Sequence, residues 1–551
     1  MSLPHTDVPI YESNAMTRLK MKYENMKKQK AILRAAVLLG TTAGLVINSQ
    51  ADNIKIDGSN LGAGVTNAIA RSGSPESILA PGFSIGLVAQ GIELLENPSG
   101  LITHFGFLSD ATFTKTEPDE NTYLVLDHNP GGPTPGYDYG RHFLYQGHEN
   151  AGNLAYITRI NLDMVNPDHR ITLLSPTNAT GFSSFNSIDG STWNPMSGTL
   201  LFTQEAGGNG GIIEMSADFD ATAGAAAGLR TLYGSMGRGG FEGIHPDDQG
   251  NIYIVEDAGG TTVNSGKNPN SFVYRFVPTN PADLTQGKLQ ALQVSINGSP
   301  VQFVPVDATH PTGDMLSNNQ LLLHTPGTSW PVKWVTVHDT AVNGTASFSA
   351  NAAAKAAGAT PFKRPENGQF QPGSKFLAFF FDVTGDTDSN AGNNPDLAAR
   401  GSWGGIFRID LAKDRQTGSI SLVVLGDADH AAFDNLTFAS QNILLAAEDR
   451  GDTLHIQLNK FDSIWVYDVS KTPSTSSARL LALGRDAMAT SEDNEPTGVL
   501  YSDGDSTLKG LLGTKALNVK DSLLFFTQQH GENNVYLIEG QKVSNGNGHE
   551  D

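Results

Sequence analysis

Six times along the chain an apolar stretch runs into a cluster of acid or amide side chains, turns through glycine or asparagine, and leads into another apolar stretch. The six clusters are Gln146-Gly147-His148-Glu149, Gln204-Glu205, Glu256-Asp257, Asp382, Glu448-Asp449 and Gln529-His530-Gly531-Glu532. Each follows a run with strand character, such as Leu200-Leu201-Phe202, Ile252-Tyr253-Ile254-Val255 or Leu523-Leu524-Phe525-Phe526. Carboxylates that converge from several elements repel one another and raise each other's pKa values, and bound cations are the usual remedy. Divalent cations with oxygen ligands are therefore the chemistry these residues suggest.

Elements that bring such ends together must repeat in space. Six strand-turn-strand units, spaced roughly as the 40–50 residues of a four-stranded blade would require, predict an all-β protein, a six-bladed β-propeller with loop insertions. Equivalent strands of all blades then end at one face of a central channel. The spacing between the third and fourth units is about double the others, so insertions are expected around residues 279–370, with Ala350–Ala357 as a short helix. A β-sandwich is the rival fold, but it gives no reason for acids to recur at the same place in each unit.

Composition agrees with many short strands and tight turns. The 551 residues include 60 glycines and 27 prolines, and 38% are hydrophobic, enough for a large core. The net charge of −21 argues against a nucleic-acid partner. No cysteine is present, so disulfides and thiolate metal sites are excluded.

Near the N-terminus, Met26-Lys27-Lys28-Gln29-Lys30 precedes an apolar run that ends at Ser49-Gln50-Ala51. This order is that of a secretory signal, so a leader over residues 1–51 and a secreted or periplasmic location are expected. A single propeller domain is expected over 52–540 and a flexible tail over 541–551. No later stretch is long and apolar enough for a membrane span.

Several short motifs, in one order along the chain, resemble those of PhoX-type alkaline phosphatases. They are Gly147-His148-Glu149-Asn150, Gly198 to Glu205, Phe241-Glu242-Gly243, Val255-Glu256-Asp257, Arg364-Pro365-Glu366, Phe433-Asp434-Asn435-Leu436, Glu495-Pro496-Thr497-Gly498 and Gln529-His530-Gly531-Glu532. The resemblance implies a six-bladed propeller that hydrolyses small phosphate esters outside the cytoplasm with calcium and ferric ions. It further implies that Glu149, Glu205, Glu242, Glu366 and Glu495 bind metal, and that Arg364 and Glu366 are catalytic, Arg364 holding the phosphate. A planar guanidinium can bind two phosphate oxygens at once. The family's metal-binding cysteine aligns with Thr203, and the acid beside it with Gln204. A thiolate–iron bond is thereby ruled out. Calcium is the expected ion, and iron would need another donor.

The residues leave two other readings open: a calcium-binding propeller without catalysis, or another calcium-dependent propeller hydrolase such as a phosphodiesterase, phytase or lactonase. His148 and His530 are additional candidates for metal binding or proton transfer. Asp382, Asp386 and Asp388 read as a solvated acidic turn, because the spacing lacks the full calcium-loop pattern. Pro365 is expected to hold Arg364 in an extended conformation.

Overall fold

The computed structural model describes residues 56, 77–109, 114–149, 155–179, 181, 183–474, 476–484, 495–502 and 523–540. The expected leader and tail lie outside the described residues, as does Asn150. The described residues contain no helix long and apolar enough to cross a membrane.

The strands form six antiparallel units built on four strands each, the fifth unit carrying Ile78–Leu79 as an extra edge strand. The first is built on Pro118–Val125, His142–His148, Ile157–Asn161 and Ile171–Leu173. The next two begin with Ile188–Asn194 and Phe241–Pro246, and the last three with Gly368–Phe370, Phe433–Ser440 and Glu495–Ser502. The second strands Ile252–Glu256, Ile443–Glu448 and Leu523–Gln529 are buried along their whole length, and Thr199–Gln204 along all but its first residue. Burial on both faces explains why they read as near-continuous apolar runs instead of alternating ones.

The apolar clusters show how the units are arranged. Tyr145 and Phe202 share a cluster between the first and second units, and Leu201 and Ile254 share one between the second and third. Val255 with Phe381 and Phe380 with Phe438 continue the series, followed by Leu445 with Phe526. Leu144 packs with Phe525 and Leu537, which returns the series from the sixth unit to the first. The units are therefore blades packed face to face in a closed ring, and the fold is a β-propeller. Ring closure is completed by Phe83–Ala89, which pairs antiparallel with the C-terminal strand Val535–Gly540.

The expected insertion lies between the third and fourth blades. Strand Ser329–Asp339 pairs with Asp283–Ile296 on one side and Thr417–Leu425 on the other, fusing the two blades into a 10-stranded sheet. Ala350–Ala356 is a helix, with the Ser349 side chain capping it by accepting from the Ala352 amide.

Candidate metal centre

The first strand of a blade begins, and the second strand ends, at the same end of the channel. Both carry acids there. Glu149, Glu205, Asp257 and Asp449 each follow the last residue of a second strand. Asp119, Asp189, Glu242 and Asp434 are each the second residue of a first strand. In all four of those first strands the register shifts by one residue directly after this point. Such a bulge bends the strand and re-aims its side chains. Close approach between neighbours at this level requires glycine: a Cβ on Gly190 would collide with the Glu242 carbonyl oxygen, and one on Gly243 with the Asn367 backbone.

Together these ends line a cavity of about 130 Å³, with Asp119, Glu149, Asp189, Glu205, Glu242 and Arg364 on its wall. Glu366, Asp434, Asp449, Glu495, Gln529 and His530 complete it. All six blades contribute. The structure brings together every residue singled out by the resemblance: Glu149, Glu205, Glu242, Glu366, Glu495 and Arg364. The sequence reading passes over Asp119 and Asp189, and it names none of Asp257, Asp434 and Asp449 individually as a metal ligand. The available signal was an acid opening a strand, as in Asp119-Glu120, Asp189-Gly190 and Asp434-Asn435.

Burial is the main perturbation of these carboxyls. It holds Glu149 well above the usual carboxylate range, helped by the charges of Asp189, Glu205 and Asp119. Burial raises Glu242 likewise, helped by Asp189 and Glu366, and Glu495, helped by Asp449 and Asp434. Asp119 is pushed up to about 6, Glu205 to about 7 and Asp434 to about 8, each chiefly by burial. Among Asp119, Glu149 and Asp189, one carboxylate oxygen from each lies within 4.8 Å of the others, and Glu205, Glu242 and Asp257 form a second such trio. At about 4 Å two like charges repel by about 4 kcal/mol in a partly screened site, so the groups cannot all ionise unaided. A donor set made only of oxygens fits hard divalent cations.

Arg364 is the guanidinium within this wall. Its Nε donates to Asp257 Oδ2 at 2.6 Å, and its Nη2 lies 3.3 Å from Glu366 Oε1. Burial disfavours its charge, but Asp257 and Glu366 outweigh that effect and keep it protonated. Glu366 also accepts from the Thr384 hydroxyl. The expected extended conformation of Arg364 is not found. Its φ is +57°, and its carbonyl accepts from the Thr384 amide at 2.9 Å. This turn lets the side chain reach Asp257 on the neighbouring blade, and the tertiary contacts override the preference set by Pro365.

The two histidines separate. His530 lines the cavity, with Nε2 3.6 Å from Glu495 Oε2. His148 is buried within its blade, between the hydroxyls of Thr116 at 3.1 Å and Thr158 at 2.9 Å, and stacks on Tyr156. Burial keeps it neutral, with its pKa well below the usual value. The turn after Asp382 is not solvated as expected. Asp382 accepts from the Asn367 amide, and Asp386 forms a fully buried ion pair with Lys363 at 2.9 Å, while Asp388 caps a short helix. Thr203 donates to the Gly190 carbonyl at 3.3 Å, and Gln204 is held by Asn186 and Tyr233.

Comparison with known proteins agrees with this geometry. No curated protein sequence matches the chain. Among solved structures, Pseudomonas fluorescens PhoX in complex with vanadate, a transition-state analogue, is similar at 12% identity, with a TM-score of 0.51 over 86% of this chain and 98% of that one. A glucose dehydrogenase is similar at 9% identity and a TM-score of 0.35, over 83% of this chain and 99% of that one. The first of these likenesses is one of fold. The family model described as alkaline phosphatase PhoX matches residues 233–508, which include Glu242, Arg364, Glu366, Asp434 and Glu495. That stretch is half of the 551 residues, and the chain belongs to the PhoX family of alkaline phosphatases.

Proposed function

We propose that this protein is an exported, metal-dependent hydrolase of phosphate monoesters. The observation that carries the reading is the placement of Arg364, one guanidinium set among carboxylates from all six blades in a single cavity. A site built only to bind cations for stability has no use for a buried cation of its own. A site that must also receive a phosphoryl dianion does.

The trios Asp119/Glu149/Asp189 and Glu205/Glu242/Asp257 would hold metal, with Glu366, Asp434, Asp449 and Glu495 as further donors. Calcium is the proposed ion, since every donor is an oxygen and no thiolate exists. When bound, the cations would neutralise the phosphate and activate water. Arg364 would hold two phosphoryl oxygens and stabilise the charge that develops on them. Glu366, bonded to Thr384, would keep both Arg364 and its share of the metal in place. His530, on the same wall, would exchange a proton with the leaving oxygen. The leader over 1–51, the propeller over 52–540 and the tail over 541–551 complete this reading, with the leader directing export.

The test is elemental analysis of protein purified without added metal, paired with an assay on p-nitrophenyl phosphate. Calcium with turnover that a chelator abolishes supports the reading. Bound calcium without turnover of any phosphate ester overturns the phosphatase reading and leaves a calcium-binding propeller.

A further inference from the structure

A second cavity lies against the carboxylate cluster. We propose that it is the subsite for the alcohol half of the substrate and that it selects polyhydroxylated alcohols, a proposal that rests on the phosphatase reading. It measures about 440 Å³, within the range of pockets that hold small ligands. Glu205 and Asp257 line both cavities, so the two meet at these carboxylates. Arg364 donates to Asp257 and therefore stands at the junction. A phosphoryl group on Arg364 has its ester substituent within reach of the second cavity.

The space exists because side chains are missing from its rim. Gly207, Gly208 and Gly259 have nothing within 4 Å of where a Cβ would stand. The polar groups around it are mostly acceptors. Glu256 is buried, at 1% exposure. Its Oε2 accepts from the Tyr274 hydroxyl at 2.8 Å and from Asn351 at 3.1 Å, whereas its Oε1 has no partner. Arg238 supplies a charged donor. Its guanidinium lies 3.9 Å over the Tyr233 ring, with Nε bonded to Ser347 and Nη1 to the Asn209 carbonyl. Its Nη2 has no hydrogen bond among the described residues.

These groups discriminate between classes of alcohol. An anionic leaving group would be set against the buried Glu256 carboxyl, the acid of this lining that is not among the proposed metal donors. Among the described residues, the lining offers a nucleobase no aromatic ring to stack against. Hydroxyl groups can donate to Glu256 Oε1 and accept from Arg238. The phosphate ester of a sugar or other polyol matches this pattern.

The experiment compares kcat/KM for glucose 6-phosphate and methyl phosphate on the metal-loaded protein. Wild type is expected to favour glucose 6-phosphate by about tenfold or more, the scale of a few hydrogen-bonded contacts. Gly208→Leu, placed in open space at the rim, should remove most of that preference. Arg238→Gln is the second variant and should lower the same ratio. Turnover of both esters with no wild-type preference, or a preference that both variants keep, overturns the subsite and leaves the phosphatase reading standing. Turnover of neither ester overturns the phosphatase reading and the subsite with it.

Discussion

Arg364 and Asp257 come from adjacent blades and meet at 2.6 Å, the guanidinium Nε on the carboxylate Oδ2. The contact sets a cation in a cavity walled mostly by acids, and that cation stands on a left-handed backbone turn. Arg364→Ala is therefore expected to lower kcat/KM for a phosphate monoester by about 10²–10³, the loss typical of one oxyanion-stabilising donor. Bound metal should be unchanged, because a guanidinium is not a ligand. Equal activity in the variant and wild type would remove Arg364 from the chemistry.

Removing a carboxylate should have the opposite signature. Glu366→Gln and Asp189→Asn each delete an anionic donor from the cavity wall and keep its shape. Both should bind less metal and melt lower than wild type in calcium. In chelator Asp189→Asn should be at least as stable as wild type, because a carboxyl that burial and like charges hold neutral is replaced by a neutral amide, whereas Glu366→Gln also loses its ion pair with Arg364 and should stay below wild type. Full metal content in Asp189→Asn would exclude that residue as a ligand.

Asp189 also marks the limit of what the sequence made legible. The second strands announce themselves as apolar runs that end in acids, which is why Glu149 and Glu205 stand out and why six blades could be counted. The first strands carry a bulge after Asp119, Asp189, Glu242 and Asp434. One extra residue breaks the alternation of two on which strand reading depends, so the acids at the head of these strands fall out of the pattern. Glu242 and Glu495 were reached only through short motifs. The backbone of Arg364 was misjudged for a related reason: Pro365 biases its neighbour locally, but the contact with Asp257 is long-range and leaves no local trace.

Gly190 gives a test of how tightly the ring is drawn at this level. A Cβ there would collide with the Glu242 carbonyl and press on the Thr203 hydroxyl. Gly190→Ala must push apart the strands that bear Asp189 and Glu242. Overpacking of this kind costs about 1–3 kcal/mol, and the displaced ligands should weaken metal binding as well. A melting temperature and metal content equal to wild type would mean that the blades adjust freely here.

The strongest pH dependence should belong to the metal-free protein. Burial raises the pKa of Asp119 to about 6, of Glu205 to about 7 and of Asp434 to about 8, all above the values of an unfolded chain. Between about pH 4 and 8 the folded state therefore holds more protons than the unfolded state, and stability falls as pH rises through that window. In chelator, the melting temperature should drop from pH 5 to pH 8. Calcium reverses the trend, because binding requires the ionised carboxylates and releases their protons, so its affinity grows with pH. At a hundredfold excess over its dissociation constant the ion contributes about 2.7 kcal/mol, and the gap between melts with and without calcium should widen toward pH 8. Melting curves that coincide at pH 8, on protein verified as metal-free before calcium is added back, would show that these carboxylates do not bind the ion. A metal-free protein that grows more stable from pH 5 to pH 8 would show that they are ionised in the folded chain without it.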